Sequence, residues 1–203
     1  MPRKRGALFV ISAPSGAGKT TLINAAVTVL KKSGCNIDRA VTHTTRPIRH
    51  GEVHGKDYVF LSEEEFERQR ANNGFLETST YDRYHYGSPT SLIDDIERGK
   101  FWIVILDWKG ALNVKKMFPE GILIWIEPPS IEILRDRLWT RSNPPLSEGR
   151  DPNRKEIFER RVEIARKEME REAQNEYFHH KIINDDFDRA VESLVLILKL
   201  HTG

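Results

Sequence analysis

The chain has 203 residues, 38% of them hydrophobic, enough for one globular domain with a core of its own and room for inserted subdomains. Its 32 basic and 30 acidic residues leave a net charge of +2, so no global field draws it to nucleic acid, and the basic N-terminal stretch Pro2-Arg3-Lys4-Arg5 reads as a solvated tail. The single cysteine, Cys35, excludes a disulfide framework and a thiolate metal cluster. No apolar run approaches the roughly 18 residues of a membrane span, and no signal-peptide core precedes the first strand, so a cytoplasmic protein with no membrane partner is expected.

Taken in order, the apolar run Ala7 to Ile11 has the β-branched content of a buried parallel strand, and Ser12 to Gly18 interrupts it before a helix from Gly18 to Lys32. The core face of that helix is expected to carry Leu22, Ala25, Ala26, Val29 and Leu30. Arg39 to Thr45 reads as a second strand, and Arg46-Pro47-Ile48-Arg49-His50-Gly51-Glu52 as a loop, because its Pro and Gly fit neither helix nor sheet. Tyr58 to Leu61 is a short strand, and Ser62-x-x-Glu65 forms a capping box for a helix to about Asn73, closed by Gly74. Phe75 to Tyr81 is strand-like, Tyr84 to Pro89 reads as a turn, and Ser91 to Arg98 as a short helix stopped by Gly99. Residues 39 to 89 are thus expected to form a small α+β insert. Phe101 to Asp107 and Ile122 to Ile126 are buried central strands, the first ending in a carboxylate and the second leading into a helix capped by Ser130. The loop Ser142 to Asn153 is a candidate lid. A charged helix from about Arg154 to Glu172, a strand Lys181 to Ile183 and a helix through Leu200 complete the chain.

Ala13-Pro14-Ser15-Gly16-Ala17-Gly18-Lys19-Thr20-Thr21, set between strand and helix, reads as a phosphate-binding loop. Gly16 and Gly18 let successive N–H groups turn inward, Lys19 reaches the β- and γ-phosphates, and the Thr20 hydroxyl suits Mg²⁺. The usual pattern has glycine where this chain has Ala13, which requires an ordinary negative φ there. Asp107, at the carboxyl end of a parallel strand, lies where open α/β sheets bind ligands and fits a role in organising the metal, the alternative being an N-cap for the next helix. Arginines on two separate segments suit phosphoryl transfer.

Ser12-Ala13-Pro14-Ser15-Gly16-Ala17-Gly18-Lys19, Val41-Thr42-His43-Thr44-Thr45-Arg46 and Gly51-Glu52-Val53-x-Gly55-Lys56-Asp57-Tyr58 together resemble guanylate kinase. The likeness continues in order through Phe75-Leu76-Glu77, Tyr86-Gly87-Ser88, Leu106-Asp107-Trp108-x-Gly110-Ala111, Pro128-Pro129-Ser130, Arg137-Leu138-x-x-Arg141 and Ile183-Asn184-Asp185-Asp186, over nearly the whole chain. The resemblance implies a P-loop α/β fold with a central parallel sheet, a GMP-binding insert (39–89), a helical lid (135–171) and a core made of 1–38, 90–134 and 172–203. It implies ATP-dependent phosphorylation of GMP to GDP with Mg²⁺, and leaves open whether the chain is a monomer or a homo-oligomer. Arg46, Arg49, Tyr58 and Tyr86 match positions that hold the GMP phosphate. Thr42, Glu77 and Ser88 match the guanine pocket, where one carboxylate can accept both N1–H and N2–H₂, and Gly87 and Asp107 are expected among the GMP-binding residues. Arg137, Arg141 and Arg161 match lid and catalytic arginines, with Arg160 as the other register, and Asn184 lies on the adenine side. The chain departs from the family in Thr42 for a serine, Ile105 for the first of two carboxylates, and a longer lid. A kinase for another phosphorylated acceptor and a non-catalytic binding module are the alternatives, and the intact Gly18-Lys19-Thr20 counts against the second.

Overall fold

The computed structural model describes residues 5–49, 51–142 and 153–202. β1 (Leu8–Ser12), β2 (Ile37–Arg39), β7 (Phe101–Leu106), β8 (Ile122–Glu127) and β9 (His180–Ile183) form a parallel sheet of five strands in the order β2-β7-β1-β8-β9. β1 lies at its centre with all five residues buried. Because side chains alternate across a strand, Phe9 and Ile11 share one apolar cluster with Leu22, Ile23, Ala26, Leu30, Ala190, Leu194 and Leu198. Those residues come from α1 (Lys19–Lys32) and α7 (Phe187–Thr202). Leu8 and Val10 join Ile96, Val104, Ala111, Val114 and Trp125 on the other face, which brings in α3 (Ser91–Glu97) and α4 (Trp108–Met117). A sheet covered by helices on both faces requires the near-continuous apolar strands that the sequence carries. On α1 the buried set is Leu22, Ile23, Ala26 and Leu30, whereas Val29, expected on that face, is 44% exposed.

The expected strand Arg39 to Thr45 is divided between two sheets. Arg39 pairs with Ile103 in the main sheet, and after Ala40 the chain leaves it to form β3 (His43–Thr44) in a second sheet. That sheet runs β4-β3-β6-β5, with β4 (Val59–Phe60), β5 (Phe75–Tyr81) and β6 (Tyr84–Pro89). The segment Tyr84 to Pro89 is therefore a strand and not a turn. The turn falls on Asp82 and Arg83, at φ 48° and 71°, the left-handed pair of a tight hairpin whose twist suits antiparallel strands. Gly87 sits inside β6 because a Cβ there would meet the Phe75 ring at 2.7 Å. α2 (Glu63–Ala71) begins with the complete capping box of Ser62 and Glu65, and Asn73, at φ 54°, takes the left-handed position expected of Gly74. α5 (Ile131–Ser142) packs on α6 (Arg154–Asn175) through Leu134, Leu138, Phe158, Val162 and Ala165. Residues 143–152, most of the loop read as a lid, lie outside the described residues. No helix among the described residues is long and apolar enough to cross a membrane.

Candidate active site

The loop after β1 carries its positive φ angles at Gly16 (90°) and Gly18 (86°), and at no other residue between Ser12 and Lys19. Ala13 is buried and keeps a negative φ, so the loop closes without glycine at that position. Gly18 is the N-cap of α1 and offers no side-chain acceptor, and the first turn of the helix holds no acidic residue. The helix thus presents unneutralised N–H groups and the positive end of its dipole to the cleft. Lys19 lies across the loop, its Nζ donating to Ala13 O (2.6 Å) and Pro14 O (3.2 Å).

A cleft of about 570 Å³ opens beside this loop. Ala13, Ser15, Gly16, Gly18, Lys19, Thr20 and Thr21 form one wall, and Thr42, Arg46, Arg49, Tyr58 and Tyr86 of the insert form another. Asp107 and Arg137 also line it, so most of the residues singled out in the sequence converge here. Pro14 and Ala17 are buried behind the loop. Asn184 is buried beside the loop. Its Nδ2 donates to Ala17 O (2.7 Å), and a Cβ on Gly18 would stand 2.6 Å from that nitrogen, so Asn184 braces the loop from behind.

Arg46 is 5% exposed. Its NH2 donates to both oxygens of Glu52 (2.8 and 2.9 Å) and its NH1 to Pro47 O (2.7 Å), while the rings of Tyr58 and Phe60 lie 5.4 and 5.6 Å away. Burial alone would lower the guanidinium pKa, but the Glu52 carboxylate raises it, and the group keeps its charge. Tyr58, half-buried, and Tyr86 meet edge to face at 6.1 Å, and desolvation followed by the neighbouring Tyr86 raises the Tyr58 phenol.

Glu77, Ser79 and Tyr81 alternate along β5 and so share one face of it. Glu77 is buried behind the cleft lining, with Oε1 accepting from Ser88 Oγ (2.9 Å) and Oε2 without a partner. Burial, aided by Asp107 and opposed by the Ser88 hydrogen bond, pushes its carboxyl up to about 8. Ser79, unremarked in the sequence, lines the cleft and donates to Asp107 Oδ2 (2.8 Å), while Asp107 Oδ1 accepts from Gly110 N (2.7 Å). Asp107 thus caps α4, the alternative weighed for it, and still faces the cleft. The strand's period of two was the signal for Ser79, since Glu77 fixes which face of β5 matters. Where the resemblance led one to look for a carboxylate, Ile105 lines the cleft.

On α6, Arg160 pairs with Asp82 of the hairpin turn (2.7 Å). Arg161, half-buried and outside the cleft lining, acts with its charge on Tyr81, whose phenol burial and then Glu168 raise. Glu168 is itself pushed up to about 7 by burial, against the pull of the Lys19 charge. Arg141 lies in the last turn of α5, and its side chain is outside the described residues.

A glycine-bent anion loop at the start of a helix, facing arginines across a cleft at the carboxyl ends of parallel strands, with Arg46 buried among them, defines a P-loop phosphotransferase. The family model described as guanylate kinase matches residues 5–200. A guanylate kinase of Polaromonas sp. is 42% identical over 194 residues, covering 95% of this chain and 86% of the relative, and one of Coxiella burnetii is 38% identical over 192 residues, covering 94% and 85%. The crystal structure of guanylate kinase from Anaplasma phagocytophilum superposes with a TM-score of 0.76 at 27% identity, covering 100% of this chain and 89% of that one. The chain belongs to the guanylate kinase family.

Proposed function

We propose that the cleft divides the ATP-dependent phosphorylation of GMP to GDP, the activity of this chain, between the phosphate loop and the insert. The loop, with Lys19, Thr20 and Thr21, holds the triphosphate of ATP, because it combines inward N–H groups, the α1 dipole and the Lys19 cation. Lys19 exchanges its loop carbonyls for phosphate oxygens when the nucleotide enters. Arg46 and Arg49, with the phenols of Tyr58 and Tyr86, hold the GMP phosphate, fixing acceptor and donor phosphates in one cleft. Arg137 reaches the same cleft from α5, and Arg141 and Arg161 belong with it as cations that meet the transferring group. Arg160 is occupied by Asp82, which favours Arg161 for that role.

The residues present fit a magnesium ion. The Thr20 hydroxyl and the Asp107 carboxylate are hard oxygen donors on the cleft wall, and each Asp107 oxygen, having accepted one hydrogen bond, retains a lone pair for a metal-bound water. When bound with ATP the ion neutralises charge developing on the phosphates.

For the base, Glu77 is the reader, assisted by Thr42 and Ser88. Its unpartnered, buried Oε2 supports this most directly, since a desolvated carboxylate gains fully from two adjacent N–H donors. Cytoplasmic location belongs to the same proposal and rests on the lone cysteine together with the family. Lys19→Ala tests the assignment of the loop, and the GMP-to-AMP comparison below tests the base pocket.

A further inference from the structure

The loop between β3 and β4 carries two arginines that face the cleft, and one carboxylate binds both. Gly51, at φ 81°, turns the chain back so that the Glu52 N–H donates to Arg49 O (3.1 Å), and Glu52 Oε2 accepts the Arg49 N–H (2.9 Å). The same Oε2 and its partner Oε1 accept from Arg46 NH2. We infer that Glu52 is the positioning residue of the acceptor-phosphate site, holding Arg46 and the Arg49 backbone in the arrangement that a phosphate dianion meets. This rests on the reading that Arg46 and Arg49 bind the GMP phosphate.

A guanidinium has five N–H donors in one plane. In Arg46, NH2 is directed to Glu52 and one N–H of NH1 to Pro47 O, and the rings of Tyr58 and Phe60, 5.9 Å apart, lie together on one side of the group. Nε–H and the second N–H of NH1 make no hydrogen bond within the described residues, and the carboxylate fixes the plane in which they lie. An arginine so held loses little rotamer freedom when the phosphate arrives, which is the advantage of preorganisation. Glu52 also keeps a buried cation paired before GMP enters. The opposite reading is that Glu52 competes with the phosphate for Arg46, and it predicts the opposite sign.

The test is steady-state kinetics of Glu52→Gln, which keeps the shape of the side chain but sets an N–H against the guanidinium. Loss of a charge-assisted bond predicts a KM for GMP raised about tenfold or more. The KM for ATP should stay within about twofold, and on an Arg46→Ala background the substitution should add little. A KM for GMP that is unchanged or lowered overturns the inference. So does an equal rise in both KM values, or a full additional effect on the Arg46→Ala background, since either marks general loosening. If Glu52→Gln does not fold, Glu52→Asp, with its carboxylate withdrawn by one methylene, replaces it. A raised KM for GMP at unchanged KM for ATP is then expected, and a wild-type KM for GMP overturns the inference. Arg46→Ala and Arg49→Ala tested alone separate the two failures. If neither raises the KM for GMP, the phosphate-site reading itself is wrong; if they do and the Glu52 variants do not, only the role of Glu52 is wrong.

Discussion

Exchanging Glu77 for Gln removes a proton-linked step from GMP binding. The Glu77 carboxyl is held at about 8 by burial, so near neutrality it is largely protonated, with one oxygen on Ser88 and the other without a partner. If Glu77 reads guanine as proposed, the base offers two donors there and needs the ionised form, so below about pH 8 a proton must leave when GMP binds. If only the carboxylate binds, about one enzyme in ten is competent at pH 7, and the KM for GMP falls about eightfold between pH 7 and pH 8.5. Glu77→Gln should have a higher KM throughout and no such slope. Stability gives a second readout, independent of turnover. The folded-state value of about 8 lies above the ordinary 4.5, so the native state holds the proton more tightly. The stability due to it is fully present below the unfolded pKa and is lost as pH rises through the folded one. Thermal unfolding of the ligand-free protein should therefore show wild type weakening relative to Glu77→Gln between about pH 5 and pH 8, by on the order of a few kcal/mol. A KM for GMP that is flat in wild type over this range, or that shows the same slope in Glu77→Gln, refutes the reasoning.

Lys19→Ala should lower kcat by about 10² to 10³, the usual worth of a charge aimed at the reacting group, with the circular-dichroism spectrum unchanged. Activity within about twofold of wild type would remove the phosphate-loop assignment. If Arg137 and Arg141 meet the phosphoryl group in the transition state as proposed, replacing either with Ala should lower kcat far more than it raises the KM for GMP. An unchanged kcat would place the residue on an ordinary helix face. Gly18→Ala should raise the KM for ATP and destabilise the fold by about 1 kcal/mol or more, because φ is 86° and the new methyl would crowd Asn184 Nδ2 at 2.6 Å. Wild-type binding and melting of that variant would contradict the bracing role of Asn184.

The main sheet was readable because its strands are buried on both faces and announce themselves as apolar runs, as Phe101 to Leu106 does. The phosphate loop was readable because Gly16 and Gly18 have a conformational purpose that other residues serve poorly. The insert was harder. Its strands are short and half-exposed, so Gly87 and Pro89 looked like a turn, when the turn sits on Asp82 and Arg83 and Gly87 only makes room for Phe75. The split of Arg39 to Thr45 between two sheets leaves no mark in local periodicity, because each half pairs with strands distant in the chain. Site residues that act through others were hidden for a similar reason. Nothing near Asn184 in sequence announces that it braces Ala17, and the link from Ser79 to Asp107 joins two separate subdomain elements. Glu52 was visible beside its arginines, but its bidentate grip on Arg46 needed the turn at Gly51 to be seen.

The central claim is that a cleft with a phosphate loop on one side reads guanine on the other. It is tested most directly by kcat/KM measured by coupled ADP release with ATP and each of GMP, AMP, CMP and UMP. Above about pH 9, where Glu77 is ionised, a buried carboxylate that accepts from N1–H and N2–H₂ leaves adenine facing it lone pair to lone pair. GMP should therefore be preferred to AMP by about 10⁴ or more. Use of AMP or either pyrimidine nucleotide within about tenfold of GMP would contradict the account.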